Sequence, residues 1–374
     1  MTTFPASPMT ALIDAHVRYD LAESTSPPLT VGDLASGEEL AGLTLGYGTS
    51  RGDPELRELI AAATGVRADQ VLVTAGAIDA MFLVAQATVE PGEQAVLVSP
   101  CFPPARTVPE ALGATIDVAR ASFDDGYRLP VAAIAGLLSA RTKLVSLASP
   151  QNPSGVLLRA AELRDMLSAV RERSPQAVVL VDETYRFSGY AESPVPPSAA
   201  ALSPHVVTCG SVSKAHGAPG LRVGWLTVTD PDLYERLREA KFQSAIAGAN
   251  VDEFLAARVL ARQSAILASR GAYLAEQLAT LRKWSADHGV EMVVPDAGAL
   301  CCLRVPAGVD VDGFYARLAD LEVRVGRGSW FGESDRVFRV GFGHLPADEF
   351  RAALERLGTA LIGGNPSTGQ AGTR

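Results

Sequence analysis

Ser211 and Ser213 stand two residues apart, Lys214 follows at once, and Arg222 comes eight residues later in a loop that also holds Gly210, Gly217, Gly220 and Gly224. Two hydroxyls and a guanidinium are donors suited to a phosphate, and the amine beside them is left free for covalent work. A glycine-rich turn with a surface lysine is the plainer reading. It is harder to accept in a chain with four lysines (Lys143, Lys214, Lys241 and Lys283) among 33 basic residues. Four other segments place reactive or binding groups at the ends of apolar runs. Asp182 closes such a run in Leu180-Val181-Asp182-Glu183-Thr184-Tyr185, where an acid also serves as a helix N-cap. Asn152 lies in Ser149-Pro150-Gln151-Asn152-Pro153-Ser154-Gly155, whose prolines and glycine make a turn in any protein. Thr74-Ala75-Gly76-Ala77-Ile78 passes from a strand into a helix, whose first N–H groups lack intrahelical partners and favour an anion. Arg339, in Phe338-Arg339-Val340-Gly341-Phe342, has the planar fork that grips a carboxylate in two places, although a surface arginine on an edge strand would read the same.

The elements that must position these groups are legible as runs. Val71–Thr74, Ala95–Ser99, Thr115–Ala119, Leu144–Ala148, Ala177–Val181, Val206–Cys209 and Val223–Val228 are short and almost wholly apolar. That pattern predicts strands buried on both faces of a mainly parallel sheet. Amphipathic stretches such as Ala161–Arg173 fill the gaps, giving an α/β layered domain. Before it, residues 1–46 read as a short helix and an extended arm. The large domain is expected over 47–244 and a smaller α+β domain over 245–362. In the helical stretch Leu233–Arg282, Gly248 and Gly271 are the expected breaks. Beyond it come strands at Val290–Val294, Ala299–Val305, Val323–Val325 and Val337–Gly341, with helices near Val311–Leu321 and Ala347–Leu361. The tail 363–374, rich in Gly, Ser, Thr and Pro, is expected to be disordered.

Composition narrows the function classes. The 374 residues carry a formal net charge of -9, which gives nucleic-acid binding no electrostatic support. No apolar run reaches membrane-spanning length, and Met1 to Pro8 lacks a signal-peptide pattern, so a cytoplasmic location is the expectation. Cys101, Cys209, Cys301 and Cys302 are not spaced as a zinc site and read as reduced, buried thiols; the five histidines form no ligand pair.

Taken in order, these segments resemble those of fold-type-I, class I/II aminotransferases: Ser-x-Ser-Lys with the later Gly and Arg, the strand-ending Asp182, and the Asn-Pro-Ser-Gly loop. The resemblance spans roughly residues 40 to 345. It implies an aminotransferase-like α/β fold with a seven-stranded sheet and pyridoxal 5'-phosphate held as an imine on Lys214. By the same resemblance Asp182 faces the cofactor's ring nitrogen, and its charge keeps that nitrogen protonated so that the ring accepts electrons from Cα. Tyr185 and Asn152 contact the phenolic oxygen. Phe102, in Pro100-Cys101-Phe102, stacks on the ring where a tyrosine is usual. Gly76, Ala77, Ile78, Ser211, Ser213 and Arg222 hold the phosphate, and Arg339, with Asn152, binds the substrate carboxylate. Tyr47, in Tyr47-Gly48-Thr49-Ser50-Arg51-Gly52, is implied to reach the phosphate of a second copy, which makes the enzyme a homodimer.

An amino-acid substrate would thus lose its Cα proton to Lys214, a desolvated lysine being able to act as a base. Amino-group transfer is the default outcome; β-elimination with carbon–sulfur cleavage, oxidative deamination and cyclisation use the same first steps. Several positions depart from the family pattern: Phe102 itself, His216 two residues after the lysine, and Arg327 in Val325-Gly326-Arg327-Gly328. The arm from Asp20 to Leu34 resembles that of capreomycidine synthase-like enzymes, cyclising relatives from antibiotic biosynthesis, which points to specialised metabolism. A non-catalytic, cofactor-binding regulator is the remaining alternative. Such regulators usually carry an added DNA-binding domain, and the short arm is expected to leave no room for one.

Overall fold

Strands that are apolar on both sides must be covered on both faces, and here they lie side by side with helices above and below. A computed structural model describes residues 4–191 and 193–362. In chain order the strands are β1 (Tyr19–Asp20), β2 (Val71–Thr74), β3 (Gln94–Ser99), β4 (Thr115–Arg120), β5 (Thr142–Ala148), β6 (Val178–Asp182), β7 (Val206–Ser211) and β8 (Gly224–Val228). After a helical stretch come β9 (Glu291–Val293), β10 (Leu300–Arg304), β11 (Val323–Arg324), β12 (Gly326–Arg327) and β13 (Val337–Gly341). Strands β2 to β8 form one seven-stranded sheet in the order β2-β8-β7-β6-β5-β3-β4. From β4 across to β7 all neighbours are parallel, while β8 runs antiparallel to both β7 and β2. The expected mainly parallel α/β sheet is the one observed.

Alternation along the strands divides the core. In β6, Val179 and Val181 join Ile134, Leu163 and Met166 of the helices Val131–Leu137 and Ala160–Arg173. Val178 and Leu180 point the other way, to Leu83 and Val84 of the helix Ala77–Thr88 and Leu237 of Pro231–Ala245. β6 is thereby dry on both faces. Because β3, β5, β6 and β7 are parallel, their C-terminal ends share one edge, the edge at which open α/β sheets hold their ligands.

A second, four-stranded antiparallel sheet has the order β12-β13-β10-β9 and packs around Leu303, Phe314, Phe338 and Leu357. The arm is tied to this part of the chain by the parallel pair β1 and β11 and by an ion pair of 2.5 Å between Asp20 and Arg324. Among the described residues no helix is long and apolar enough to cross a membrane.

One expected break is corrected. Gly248 does separate the helices Pro231–Ala245 and Asn250–Ala261, but Gly271 lies inside the helix Gln263–Asp287. Its lack of a side chain serves close approach: a Cβ there would stand 2.9 Å from the Ala191 carbonyl oxygen, and Ala191 donates its N–H to the Gly271 carbonyl at 2.8 Å. The interruption falls instead at Arg262, where no proline or glycine marks it. The tail 363–374 lies outside the described residues.

Candidate active site

The C-terminal edge of the large sheet gathers most of the residues singled out by type and spacing. Asp182 ends β6, Ser211 ends β7, and the Ser149–Gly155 turn follows β5. That turn is tied back to β6, since Ser149 donates its N–H to the Asp182 carbonyl at 2.8 Å. Gly155 is positive in φ, +75°, and a Cβ on it would lie 2.5 Å from Pro295, so the turn fits against the loop before β10. Arg339 comes from β13 of the second sheet and crosses to the first: its Nη1 donates to Asn152 Oδ1 at 2.8 Å. Its Nη2 donates to the carbonyl of Ala22 in the arm, its plane rests 4.6 Å from the Phe331 ring, and the side chain is buried. Arg339 Nε has no acceptor among the described residues. The edge-strand alternative for this arginine is therefore not what the fold contains.

Asp182 is buried, and every donor to its carboxylate among the described residues goes to one oxygen. Oδ1 receives the Thr184 N–H at 2.9 Å, the Thr184 hydroxyl at 2.5 Å and the Cys209 thiol at 3.7 Å. Burial pushes its pKa up, and the Thr184 and Cys209 donors with the charge of Lys214 pull the other way. Tyr185 turns its hydroxyl to Ser24 Oγ of the arm at 2.8 Å.

The anion-holding segments also meet. Gly76 has φ +84°, and a Cβ on it would come within 2.5 Å of Arg222 Nη2, so guanidinium and glycine turn are in direct contact. Arg222 itself sits in the left-handed region, φ +50°, and its Nη2 donates to the Ala75 carbonyl at 3.3 Å. Gly224 of β8 allows the same approach from below: its Cβ would fall 2.4 Å from the Gly76 carbonyl carbon. Ala77 and Ile78 begin the helix Ala77–Thr88, with Gly76 as its N-cap. Ser211 and Ser213 are buried, the Ser213 N–H donating to Ser211 Oγ at 3.3 Å, and Phe102, like Ala77, is part-buried against the core that includes Ala80 and Leu83.

Lys214 stands among these groups. Its Nζ donates to Glu23 Oε1 at 3.3 Å, and Tyr185 and Arg339 act on its charge. Burial lowers its pKa, yet Tyr185 and Glu23 outweigh this and the net direction is upward. For Glu23, burial works to raise the pKa, but Lys214, the Ser24 N–H and Arg339 bring it down to about 2. Glu23 and Ser24 were not among the residues that the sequence pattern singled out. The polar run Glu23-Ser24-Thr25-Ser26 was visible as composition, but its partners lie 161 and 191 positions away, and no local spacing announces them.

Tyr47 is the residue not brought in: it is 87% exposed on its own chain. The two unusual positions are occupied structurally. His216 is fully buried beside Phe187, with ring centroids 5.3 Å apart, and burial first, then the Arg270 charge, drops its pKa to about 4, so the ring is neutral. Arg327 lies over the Tyr315 ring at 4.1 Å and pairs with Asp335 at 3.8 Å.

Residues 18–357 match the family model for aminotransferase class I and II. The chain belongs to this family. Capreomycidine synthase of Streptomyces vinaceus is 28% identical over 369 residues, covering 95% of this chain and 93% of that protein. Arginine–pyruvate transaminase of Pseudomonas aeruginosa is 28% identical over 343 residues, covering 88% and 86%. A pyridoxal-phosphate-dependent aminotransferase from Streptococcus suis superposes with a TM-score of 0.88 at 24% identity, over 96% of this chain and 98% of the other. The fold is thus that of the fold-type-I aminotransferases, the cofactor is pyridoxal phosphate, and the chain is an enzyme: a transaminase, or a cyclase or lyase of the same family. The residues present fit that cofactor. Asp182 Oδ2 takes none of the donors among the described residues, and the Gly76 turn with Arg222 and the helix start is a cradle that a Cβ would fill.

Proposed function

We propose that this enzyme removes the Cα proton of an amino acid with Lys214 and, by default, transfers its amino group, in specialised rather than central metabolism. One observation carries the reading: Lys214, Asp182 with Tyr185, and Arg339, from three separate segments, converge at the C-terminal edge of the sheet. Arg339 would hold the substrate carboxylate through its unpartnered Nε and remaining N–H groups, while Phe331 and Asn152 keep the guanidinium in place. Asp182 contributes the buried negative charge for a ring nitrogen, and Tyr185 and Asn152 supply polar groups for the phenolic oxygen. The Gly76, Ala77 and Ile78 backbone, with Ser211, Ser213 and Arg222, would bind the phosphate; Phe102 would cover the ring. Pyridoxal phosphate, when bound, supplies an aldehyde for capturing amines and a ring that stabilises negative charge at Cα.

The exposure of Tyr47 supports its donation to a second copy, and class I/II aminotransferases are typically dimeric; we propose a cytoplasmic homodimer with Tyr47 across the interface. The division into an arm (1–46), a large domain (47–244) and a small domain (245–362) is part of the same proposal. Likeness to capreomycidine synthase over 95% of the chain favours one second reading, cyclisation of, or elimination from, a specialised amino acid. A spectral screen of amino acids with mass analysis of products separates the two. A pyridoxamine form and a released 2-oxo acid support transfer; a cyclic product, or pyruvate and ammonia without pyridoxamine, supports the second. An unaltered spectrum with every amino acid would sink both.

A further inference from the structure

Asp182 and Arg339 each have a place in the chemistry proposed above, but a third charged group at the site, the Glu23 carboxylate, has none. Its Oε1 receives the Ser24 N–H at 2.7 Å, the Thr25 N–H at 2.9 Å and Lys214 Nζ at 3.3 Å. Two backbone donors on one carboxylate oxygen favour the ionised form, and they fix where the charge sits. The segment that carries it is clamped on both sides. Gly341 donates its N–H to the Leu21 carbonyl at 2.7 Å, Arg339 holds the Ala22 carbonyl, and the Ser26 N–H donates to the Lys214 carbonyl at 3.1 Å. Gly341 is required for this path, because a Cβ there would lie 1.8 Å from the Glu23 carbonyl oxygen. The carboxylate is therefore delivered to the lysine by a built backbone route, and it is not a surface side chain that folds over by chance.

We propose that Glu23 is a positioning residue that holds the Lys214 amine in its cationic form. The proposal rests on the reading of Lys214 as the reactive amine. The charged and titratable groups that face Lys214 are Glu23 from the arm, Asp182 and Tyr185 from the end of β6, and Arg339 from β13. Of these, among the described residues, Glu23 alone forms an ion pair with it. Arg339 opposes the positive charge, and Glu23 offsets Arg339. A lysine so held is, whenever its amine is free, a weaker base and, once it has taken a proton, a more reluctant donor, so Glu23 governs how long the proton stays on Nζ.

An opposite charge this near moves an amine pKa by about 1–3 units, and each unit is tenfold in the reactive, neutral fraction. The cofactor-free chain is treated with trace acetic anhydride across a pH series, and peptide mass spectrometry reads each lysine separately. In Glu23→Gln the Lys214 midpoint is expected at least about one unit lower, so labelling on the acid side rises about tenfold. Lys283, exposed on its helix, should not move. Lys241, buried and bonded to the Ser50 carbonyl at 2.7 Å, should stay protected and so certify the fold. An unchanged Lys214 midpoint with Lys241 protected overturns the proposal. If Lys241 becomes reactive, Glu23→Asp is read instead: it keeps the charge but draws it back, so a midpoint below the parent's supports the pair and an equal one overturns it. The titration needs no cofactor. A Lys214 that titrates as described but never carries the cofactor would refute the proposed function and leave the ion pair standing.

Discussion

Replacing Arg339 by lysine keeps the positive charge and removes the fork. In the structure one arm of that fork is spent on Asn152 Oδ1 at 2.8 Å and the other on the Ala22 carbonyl, which leaves Nε and the outer N–H groups for a carboxylate. A lysine at this position has three donors on a single nitrogen and cannot serve Asn152, Ala22 and a two-oxygen ligand together. The net loss should be one charge-assisted hydrogen bond to the substrate, about 1.5–3 kcal/mol, or roughly 10- to 150-fold in kcat/KM. The assay compares an amino acid with the amine that lacks its carboxylate, in both proteins. The parent should prefer the amino acid, and Arg339→Lys should lose most of that preference while its rate with the amine stays within about threefold. If amino acid and amine fall by the same factor, Arg339 does not bind the carboxylate, and its contacts with Asn152 and Ala22 are purely structural.

Two further outcomes follow from distances and a third from the charge state of Glu23. Gly76→Ala puts a Cβ 2.5 Å from Arg222 Nη2 at φ +84°, so cofactor affinity, read by titration of the cofactor-free protein, should fall at least about tenfold, or ~1.4 kcal/mol. Gly341→Ala drives a Cβ to within 1.8 Å of the Glu23 carbonyl oxygen, so protease cleavage in the arm should accelerate and stability to denaturant should drop by about 1–3 kcal/mol. Glu23 has a depressed pKa, about 2 against 4.5, so the stability it contributes is present above pH 4.5 and is lost as pH falls through about 2. At most this is about 3 kcal/mol, and stability of the cofactor-free Glu23→Gln protein should vary less between those pH values than that of the parent.

The parts of this molecule that could be read in advance are those where one local pattern has one physical solution. β2 and β13 begin and end where the apolar runs do, and the other expected strands differ by a residue or two, because short runs apolar on both sides suit strands covered on both faces; β1 and β12, two residues each, have no apolar run to announce them. Where β5 starts two residues early, Thr142 is polar in sequence yet buried, its hydroxyl satisfied by Gln94 Oε1 at 2.6 Å. Glycine was ambiguous. Gly248 lies between two helices and Gly271 within one, where it packs on the Ala191 loop, some 80 positions away, which no local pattern contains. The motif residues around Lys214, Asp182 and Gly76 stood out because their chemistry is tied to a turn or a strand end. Glu23 did not, since its role depends on an arm that passes over Gly341 and under Tyr185 before reaching the lysine.

The most direct test of the whole account is to load the enzyme with pyridoxal phosphate, reduce it with borohydride and find which of the four lysines carries the added mass. The expected label is on the peptide containing Lys214, with no stable adduct in Lys214→Ala. Label on Lys143, Lys241 or Lys283 in the parent, or undiminished cofactor attachment in Lys214→Ala, would contradict it.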